Sequence, residues 1–489
     1  MKRRDFIKTG AVAAGLAGSL DLLPALTANA DDSPRSSGQT AAPPDDNRSA
    51  DYLRRAQSDQ FVPKPPEFAN VTISPMPLVE RVRRNIVPRR GFCSLSPGND
   101  VLLTGTGAVN IELEGYPYTE QIPFHHERLF VPRRRPAECP NIADIFPQVR
   151  QMLLDGKYHE AAALAYQKWH ANPAQSGGRG FGGGAGFTMH LDFPKSASVK
   201  DYLRTVDFES TEVKVHWTDE RGEWVRQTFT SRPDNLVAQW LSAPQGQSVN
   251  VRISVTAGGG GGRGGRGGRG GFGGGGGGGP SNAQTDFNEQ RLIYKGRLDP
   301  SVNNRGYAGV TRVVRDGGLS RMEGNTLVIE NASSVMLLTR IDYYPDYSEE
   351  QVEATRQALE QLTPDYAALL ERARKVQSEM LNRVTVDFGG ASKHELSSEE
   401  LLSDQQSSPG YSGAFLETLF DMCRYWFILN SGKYCSMQAE TNANINLQLA
   451  PMALGYHREG EEAYFNWMES LVPDFRTNAK NIFGMRGTK

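Results

Sequence analysis

The stretch Glu440–Thr441–Asn442–Ala443–Asn444–Ile445–Asn446–Leu447–Gln448 sets side-chain amides at alternate positions. If the segment is extended, Asn442, Asn444 and Asn446 project to one side and Ala443, Ile445 and Leu447 to the other. Asn is a poor former of helix and strand, so this density costs local stability. The cost is tolerated in an Asn-rich turn, or where the amides hydrogen-bond something specific. An amide donates and accepts hydrogen bonds but has no accessible acid form, so it can hold a water and cannot deliver a proton. Glu440 is the nearest carboxylate and is either a substitute acid or a plainly solvated side chain.

Two amphipathic helices must hold this stretch. Over residues 415–429, Leu416, Leu419, Phe420, Cys423, Trp426 and Phe427 form a wide apolar face. Near 461–471, Tyr464, Trp467, Met468 and Leu471 share a face, and Pro473 ends or kinks that helix. Upstream, Ser348 and Gln351 have capping-box spacing and open a helix through Leu362. Thr363–Pro364 then supplies an N-cap and a first-turn proline. The next helix carries Tyr366, Leu369, Leu370, Ala373, Val376 and Met380 on one face. Val384, Val386 and Phe388 alternate as a strand, and a polar stretch fills 391–410.

From about residue 63 to 344 the chain reads as β. Val101–Leu102–Leu103, Val109–Asn110–Ile111–Glu112–Leu113 and Val213–Lys214–Val215–His216–Trp217 are short β-branched and aromatic runs between turn residues. Phe229 is expected to face the sandwich core, with Thr228 and Thr230 outward. Pro233–Asp234 turns the chain into a strand over 236–241. One helical segment, 145–169, interrupts, split at Asp155–Gly156. His125 and His126 sit at a strand end, where a histidine is either structural or catalytic. Glycine-rich runs at 177–186 and 258–279 read as flexible insertions. The second carries Arg263, Arg266 and Arg269, a small example of the Arg-Gly-Gly repeats that bind RNA.

The 489 residues carry 54 Lys and Arg against 56 Asp and Glu, a net charge of -2. That balance gives no global drive toward nucleic acid or anionic membrane. The four cysteines, Cys93, Cys139, Cys423 and Cys435, lack CxxC spacing, which argues against a zinc site or disulfide scaffold. No metal or cofactor is expected. Arg3–Arg4–Asp5–Phe6–Ile7–Lys8, an Ala/Gly/Leu run and Ala28–Asn29–Ala30 have the three parts of a twin-arginine export signal. The run is too short and glycine-rich for a stable membrane span. A disordered linker follows over 31–62.

Asn444–Ile445–Asn446–Leu447–Gln448 resembles the Asn-Ile-Asn-x-Gln signature of glycoside hydrolase family 95, the α-L-fucosidase family. Further resemblances run in order along the chain. Gly98–Asn99 resembles the family's Gly-Asn turn. His126–Glu127–Arg128–Leu129–Phe130 is a diverged Asn-Glu-Asp-Thr-Leu-Trp stretch. Tyr202–Leu203–Arg204–Thr205–Val206–Asp207 resembles Tyr-x-Arg-x-Leu-Asp, and Arg226–Gln227–Thr228–Phe229–Thr230–Ser231–Arg232–Pro233–Asp234 resembles Arg-Glu-x-Phe-x-Ser-x-Pro-Asp.

The resemblance implies a multidomain α+β chain: an N-terminal β-sandwich (63–345), a helical linker (346–390) and the beginning of an incomplete (α/α)6 barrel (391–489). It implies inverting hydrolysis of α-L-fucosides or α-L-galactosides, with Asn444 and Asn446 as catalytic residues that position the attacking water. Asn442, where the family has a sugar-contacting His, and Gln448 would touch the substrate, a fucosylated glycan. The family's general-acid Glu and its Asp would fall after Lys489, which implies a truncated chain, inactive or weak. Inversion needs two groups about 6.5–9.5 Å apart on opposite faces of the sugar. The alternative is a non-catalytic protein that keeps the sandwich and binds glycans or a partner.

Overall fold

The computed structural model describes residues 71–98, 102–129, 140–171, 185–258, 283–297, 304–434 and 451–487. The expected export signal, the 31–62 linker, Asn99, Val101, Cys139, Cys435 and the glycine-rich runs apart from 185–186 and 258 lie outside these residues.

The described chain starts with β1 (Thr72–Pro75), helix α1 (Leu78–Arg84), β2 (Gly91–Ser94), β3 (Leu102–Gly105), β4 (Val109–Leu113) and β5 (Thr119–His126). A 3-10 turn, Glu127–Leu129, ends β5, and helices α2 (Phe146–Leu154) and α3 (Tyr158–His170) follow. Next come β6 (Phe187–Asp192), β7 (Ser198–Asp207), β8 (Val213–Asp219), β9 (Gly222–Ser231), β10 (Leu236–Ser242) and β11 (Val249–Ala257). The β region closes with β12 (Gln284–Asn288), β13 (Arg291–Arg297), β14 (Gly306–Glu323) and β15 (Thr326–Tyr344). Five helices complete the chain: α4 (Glu349–Gln361), α5 (Tyr366–Asn382), α6 (Ser398–Ser407), α7 (Gly413–Leu429) and α8 (Arg458–Phe483), with a short turn of helix at 451–454 before the last.

All 15 strands form one hydrogen-bonded sheet, in the order β1-β7-β8-β9-β10-β15-β11-β6-β5-β4-β3, with β14, β13 and β12 on the other edge of β15 and β2 on β7. It folds into two layers because β15 changes partner along its length. Its first part pairs with β11, from Thr326 opposite Ser254 to Ala332 opposite Val249. Its later part pairs with β10, from Ser334 opposite Ser242 to Thr339 opposite Val237. At the changeover Asn331 has φ 58°, and Gly317 and Gly318 on β14 have φ 68° and 67°. A Cβ on Gly318 would lie 2.4 Å from the Glu330 carbonyl oxygen, so glycine is required at this bulge. A strand that bends at a bulge to serve both layers is how sandwich corners are made.

Between the layers lie Leu102, Ile111, Phe124, Met189, Val237 and Ile253, all fully buried. Each such side chain contributes about 1.5–3 kcal/mol by leaving water. The outer face of β10 and β15 is covered too. Leu236, Met336 and Leu338 pack on Val352 and Leu359 of α4 and Leu369 and Ala373 of α5. Phe229 belongs to this outer cluster, edge-on to Tyr366 at 4.9 Å. Thr228 and Thr230 are buried, and Thr230 Oγ1 meets Thr104 Oγ1 of the facing layer at 2.9 Å. The expected orientation is therefore reversed: the apolar side chain meets the helices, and the threonines fill the interior.

The Ser348–Gln351 capping box opens α4 as expected. The cap of α5 differs. Asp365 accepts from the Ala368 N–H and the helix starts at Tyr366, so Thr363–Pro364 precede it. Residues 384–388 are not a strand, since nothing pairs with them and Phe388 is exposed. The polar stretch 391–410 contains α6, opened by a second capping box, Ser397 with Glu400. In α7 the fully buried side chains are Ala414, Phe415, Arg424, Tyr425, Phe427, Ile428 and Leu429, so the helix is turned from the expected face; Leu416, Leu419, Phe420, Cys423 and Trp426 are half-buried. Helix α8 runs through Pro473. Pro473 has no N–H to reach the Glu469 carbonyl and its ring crowds that same carbonyl, yet the helix continues. Helices α2 and α3 flank the expected break, with Gly156 at φ 76°, yet between them only Ala161 is buried. No described helix is long and apolar enough to cross a membrane.

Candidate functional site

The residues singled out for chemistry, Asn442, Asn444, Asn446, Gln448 and Glu440, lie outside the described residues. The description reaches Tyr434 and resumes at residue 451. The structure therefore locates the two stems of this stretch.

The first stem leaves α7. The last carbonyls of a helix have no partner within it. Here Arg232, on the β9–β10 turn, donates to the carbonyls of Ile428 at 2.7 Å and Ser431 at 2.8 Å. Tyr425 Oη donates to the Leu103 carbonyl at 3.0 Å, which ties the same helix end to β3. Gly107, φ 88°, lies between β3 and β4; a Cβ there would stand 2.3 Å from the Ser431 carbonyl oxygen. Only glycine admits so close an approach. Beyond Ser431, the Glu127 carboxylate accepts the Tyr434 N–H at 2.8 Å. A Cβ on Gly432 would be 2.3 Å from Glu127 Oε2, so the carboxylate fills the space that this glycine leaves. The Arg128 guanidinium lies 4.4 Å from the Tyr434 ring centre and 5.2 Å from that of Tyr343, both cation–π distances.

The second stem enters α8. His457 Nε2 is 2.7 Å from Ser431 Oγ. That hydroxyl also contacts the Phe427 carbonyl at 2.7 Å. A carbonyl can only accept, so the serine donates to Phe427 and the imidazole carries its hydrogen on Nε2. Nδ1 faces Glu459 Oε2 at 3.7 Å. Arg383 holds that carboxylate with two bonds of 2.8 Å, and Arg424 donates to the Gly455 carbonyl. The two stems thus meet at the Ser431–His457 contact.

Burial sets the protonation states. It pushes Glu127 up to about 7, against the opposing pull of the Tyr434 N–H and of Arg128 and Arg232. It pushes His457 down to about 4, with Glu459 pulling upward. Arg232 is lowered to about 10 by the same cause and stays charged. The junction therefore combines a carboxyl that titrates near neutrality, a neutral imidazole and a fixed guanidinium. Hydrogen-bond positioning and proton exchange at Glu127 are within its chemistry. Among the described residues no cluster of three or more His, Cys, Asp or Glu is arranged to hold a metal ion.

His125 and His126 are not part of this junction. His126 Nδ1 accepts the Arg128 N–H at 3.1 Å and its ring stacks on Tyr343. His125 faces Glu112 at 3.7 Å. The residues that do hold the stems, Glu127, Arg232 and His457, carry no local signal in the sequence; Glu127 and Arg232 stand inside stretches read as structural.

Residues 96–343 match the family model described as glycosyl hydrolase family 65, N-terminal domain. The chain belongs to this family. The family 65 N-terminal domain runs from just after β2 to the penultimate residue of β15. Glu127, Arg128 and Arg232 fall within it, whereas Ser431, Tyr434 and His457 fall outside, so the domain grips a segment that follows it. Among solved structures, a "Putative kojibiose phosphorylase from human microbiome" is similar at 9% identity over 62% of this chain, with a TM-score of 0.37. The match covers 42% of that structure, so this chain spans less than half of its length. No curated protein matches the chain. The relationship to glycoside hydrolases expected from the sequence stands at that level.

Proposed function

We propose that the family 65 N-terminal domain of this chain serves an α-L-fucosidase of the family 95 type, which hydrolyses α-L-fucosides or α-L-galactosides with inversion. Asn444 and Asn446 orient the attacking water in this reading, and Asn442 and Gln448 contact the sugar. The observation that carries it is the pair of stems. A domain from a sugar-active family clamps Ser431 and Tyr434 through Arg232 and Glu127, and His457 joins the second stem to the first. Amides orient a water usefully only where their backbone is fixed, since the gain comes from freedom lost before reaction. The same reading has the protein exported by the twin-arginine route to the periplasm or beyond.

The test uses the full chain with 4-nitrophenyl α-L-fucoside, whose leaving group needs little help from an acid. Slow release of nitrophenolate is expected, with β-L-fucose as the first product by proton NMR. Asn446→Ala and Asn444→Ala should abolish it. Turnover that survives both substitutions, or α-L-fucose as first product, overturns the reading. Binding of L-fucose with no turnover favours a non-catalytic glycan-binding protein instead.

A further inference from the structure

Glu127 is 6% exposed, on the turn that ends β5. Its own N–H is satisfied by the Ala108 carbonyl at 2.8 Å. Its carboxylate is spent on backbone: the Tyr434 N–H at 2.8 Å and the Lys433 N–H beside it. Neighbouring Arg128 and Arg232 act on it by charge, and no described cation forms a contact ion pair with it. Burying a carboxylate in this way costs stability unless its oxygens are well used. A carboxylate has two acceptor oxygens and no donor, so it suits a turn that offers adjacent N–H groups. Gly432 lets the oxygen in, and the Gly107 backbone lies close against it as well.

We propose that Glu127 is a positioning residue, which clamps the Gly432–Lys433–Tyr434 turn, the end of the first stem, to the sandwich. Its consequence for sugar binding rests on the fucosidase reading above; the clamp itself does not. While Glu127 stays buried, its two N–H bonds are stronger to the ionised carboxyl than to the neutral acid, so protonation favours local opening of the turn, the opposite sign to the contribution of its raised pKa to global folding. The groups that act on it are Arg128 on its own turn, Arg232 from the β9–β10 turn and the Lys433 N–H on the clamped turn; His457 and Glu459 at the start of α8 interact with Arg232. Burial dominates among these influences, so the change falls near neutral pH.

The experiment is amide hydrogen exchange on the full chain at pH 8 and pH 6, read as protection factors, for wild type, Glu127→Ala and Glu127→Gln. At pH 8 Glu127→Ala should lower protection of the 431–434 peptide about tenfold while β14–β15 peptides keep theirs. Wild type should lose part of that protection between pH 8 and pH 6. Glu127→Gln should sit between the two and not change with pH, because its carbonyl accepts but does not titrate. Equal protection in wild type and Glu127→Ala overturns the proposal. If Glu127→Ala fails to fold, the comparison of Glu127→Gln with wild type across pH decides, and identical pH responses overturn it. L-fucose binding, followed by saturation-transfer NMR, is the second arm. Weakening by Glu127→Ala and rescue by Glu127→Gln supports positioning of the sugar site. If wild type does not bind L-fucose, the fucoside reading fails and the clamp stands or falls on the exchange result alone.

Discussion

Arg232 donates to the Ser431 carbonyl at 2.8 Å, a contact between a strand turn and a helix end 199 positions further along the chain. The same guanidinium reaches Ile428. The Ile428 carbonyl also accepts the Ser431 N–H at 3.2 Å, so the arginine adds a second bond there and supplies a side-chain partner to the Ser431 carbonyl beyond the helix end. Hydrogen bonds to a charged group contribute about 1.5–3 kcal/mol each, and truncation removes both. Arg232→Ala should therefore destabilise the chain by about 3 kcal/mol, measured by urea unfolding. Arg232→Lys should recover only part, because an ammonium cannot match the fork. A loss within error of zero would show that water serves those carbonyls equally well.

A second long-range tie joins α1 to α6. Arg81, 1% exposed, donates to both oxygens of Glu400 at 2.7 and 2.8 Å and to the Glu395 carbonyl at 2.9 Å. Removing one partner of such a pair leaves a buried charge uncompensated. Glu400→Ala should cost about 3 kcal/mol, the low end for a buried pair because Glu400 keeps a third of its side chain in solvent. The double variant Arg81→Met, Glu400→Met should recover much of that loss. A double variant no more stable than Glu400→Ala would mean that the helix contact depends on charge itself.

At the start of α5 the sequence points to Thr363 as the cap. The structure places the side-chain bond on Asp365, which accepts the Ala368 N–H at 3.0 Å. Asp365→Ala should cost about 1 kcal/mol, and Thr363→Ala should stay within a few tenths. Thermal midpoints of the two variants separate these outcomes, and a reversed order would return the cap to Thr363.

This cap shows where local pattern stops being decisive. Thr363–Pro364 satisfies the start rules, yet the helix begins two residues later, where Asp365 caps it. Strict alternation matches β4, where every second residue is buried, while β8 was legible from its β-branched and aromatic residues and β10 from the turn before it. Alternation misled at Thr228, Phe229 and Thr230, because β9 is covered on both faces and polarity there does not report exposure. It misled again at 384–388, where alternation exists but no described strand pairs with it. The capping box of Ser397 and Glu400 was legible and lay hidden in a polar stretch. Glu127 could not be read at all: its partner Tyr434 is 307 positions away, and nothing near either residue encodes the other.

Acid should unfold this protein more readily than its net charge suggests. Burial holds His126 and His457 down to about 4 and His216 down to about 3. An unfolded histidine binds its proton near 6.5. Between these values the unfolded chain carries more protons than the folded one, so stability rises with pH and is lost as pH falls below about 6.5. Glu127 acts in the opposite sense. Its folded value of about 7 exceeds its ordinary 4.5, so over that window the folded state holds the extra proton and acidification favours folding. Burial likewise raises Glu120 to about 7, so three histidines oppose two carboxyls, each with a slope of at most about 1.4 kcal/mol per pH unit, and net stability should fall from pH 6.5 toward pH 4.5. Urea midpoints at pH 7.5, 6.5, 5.5 and 4.5 measure the slope. His216→Gln, which lies on β8 away from the stems, should make it shallower, and Glu127→Gln should make it steeper. A midpoint that rises on acidification of the wild type would mean that these histidines are charged in the folded protein.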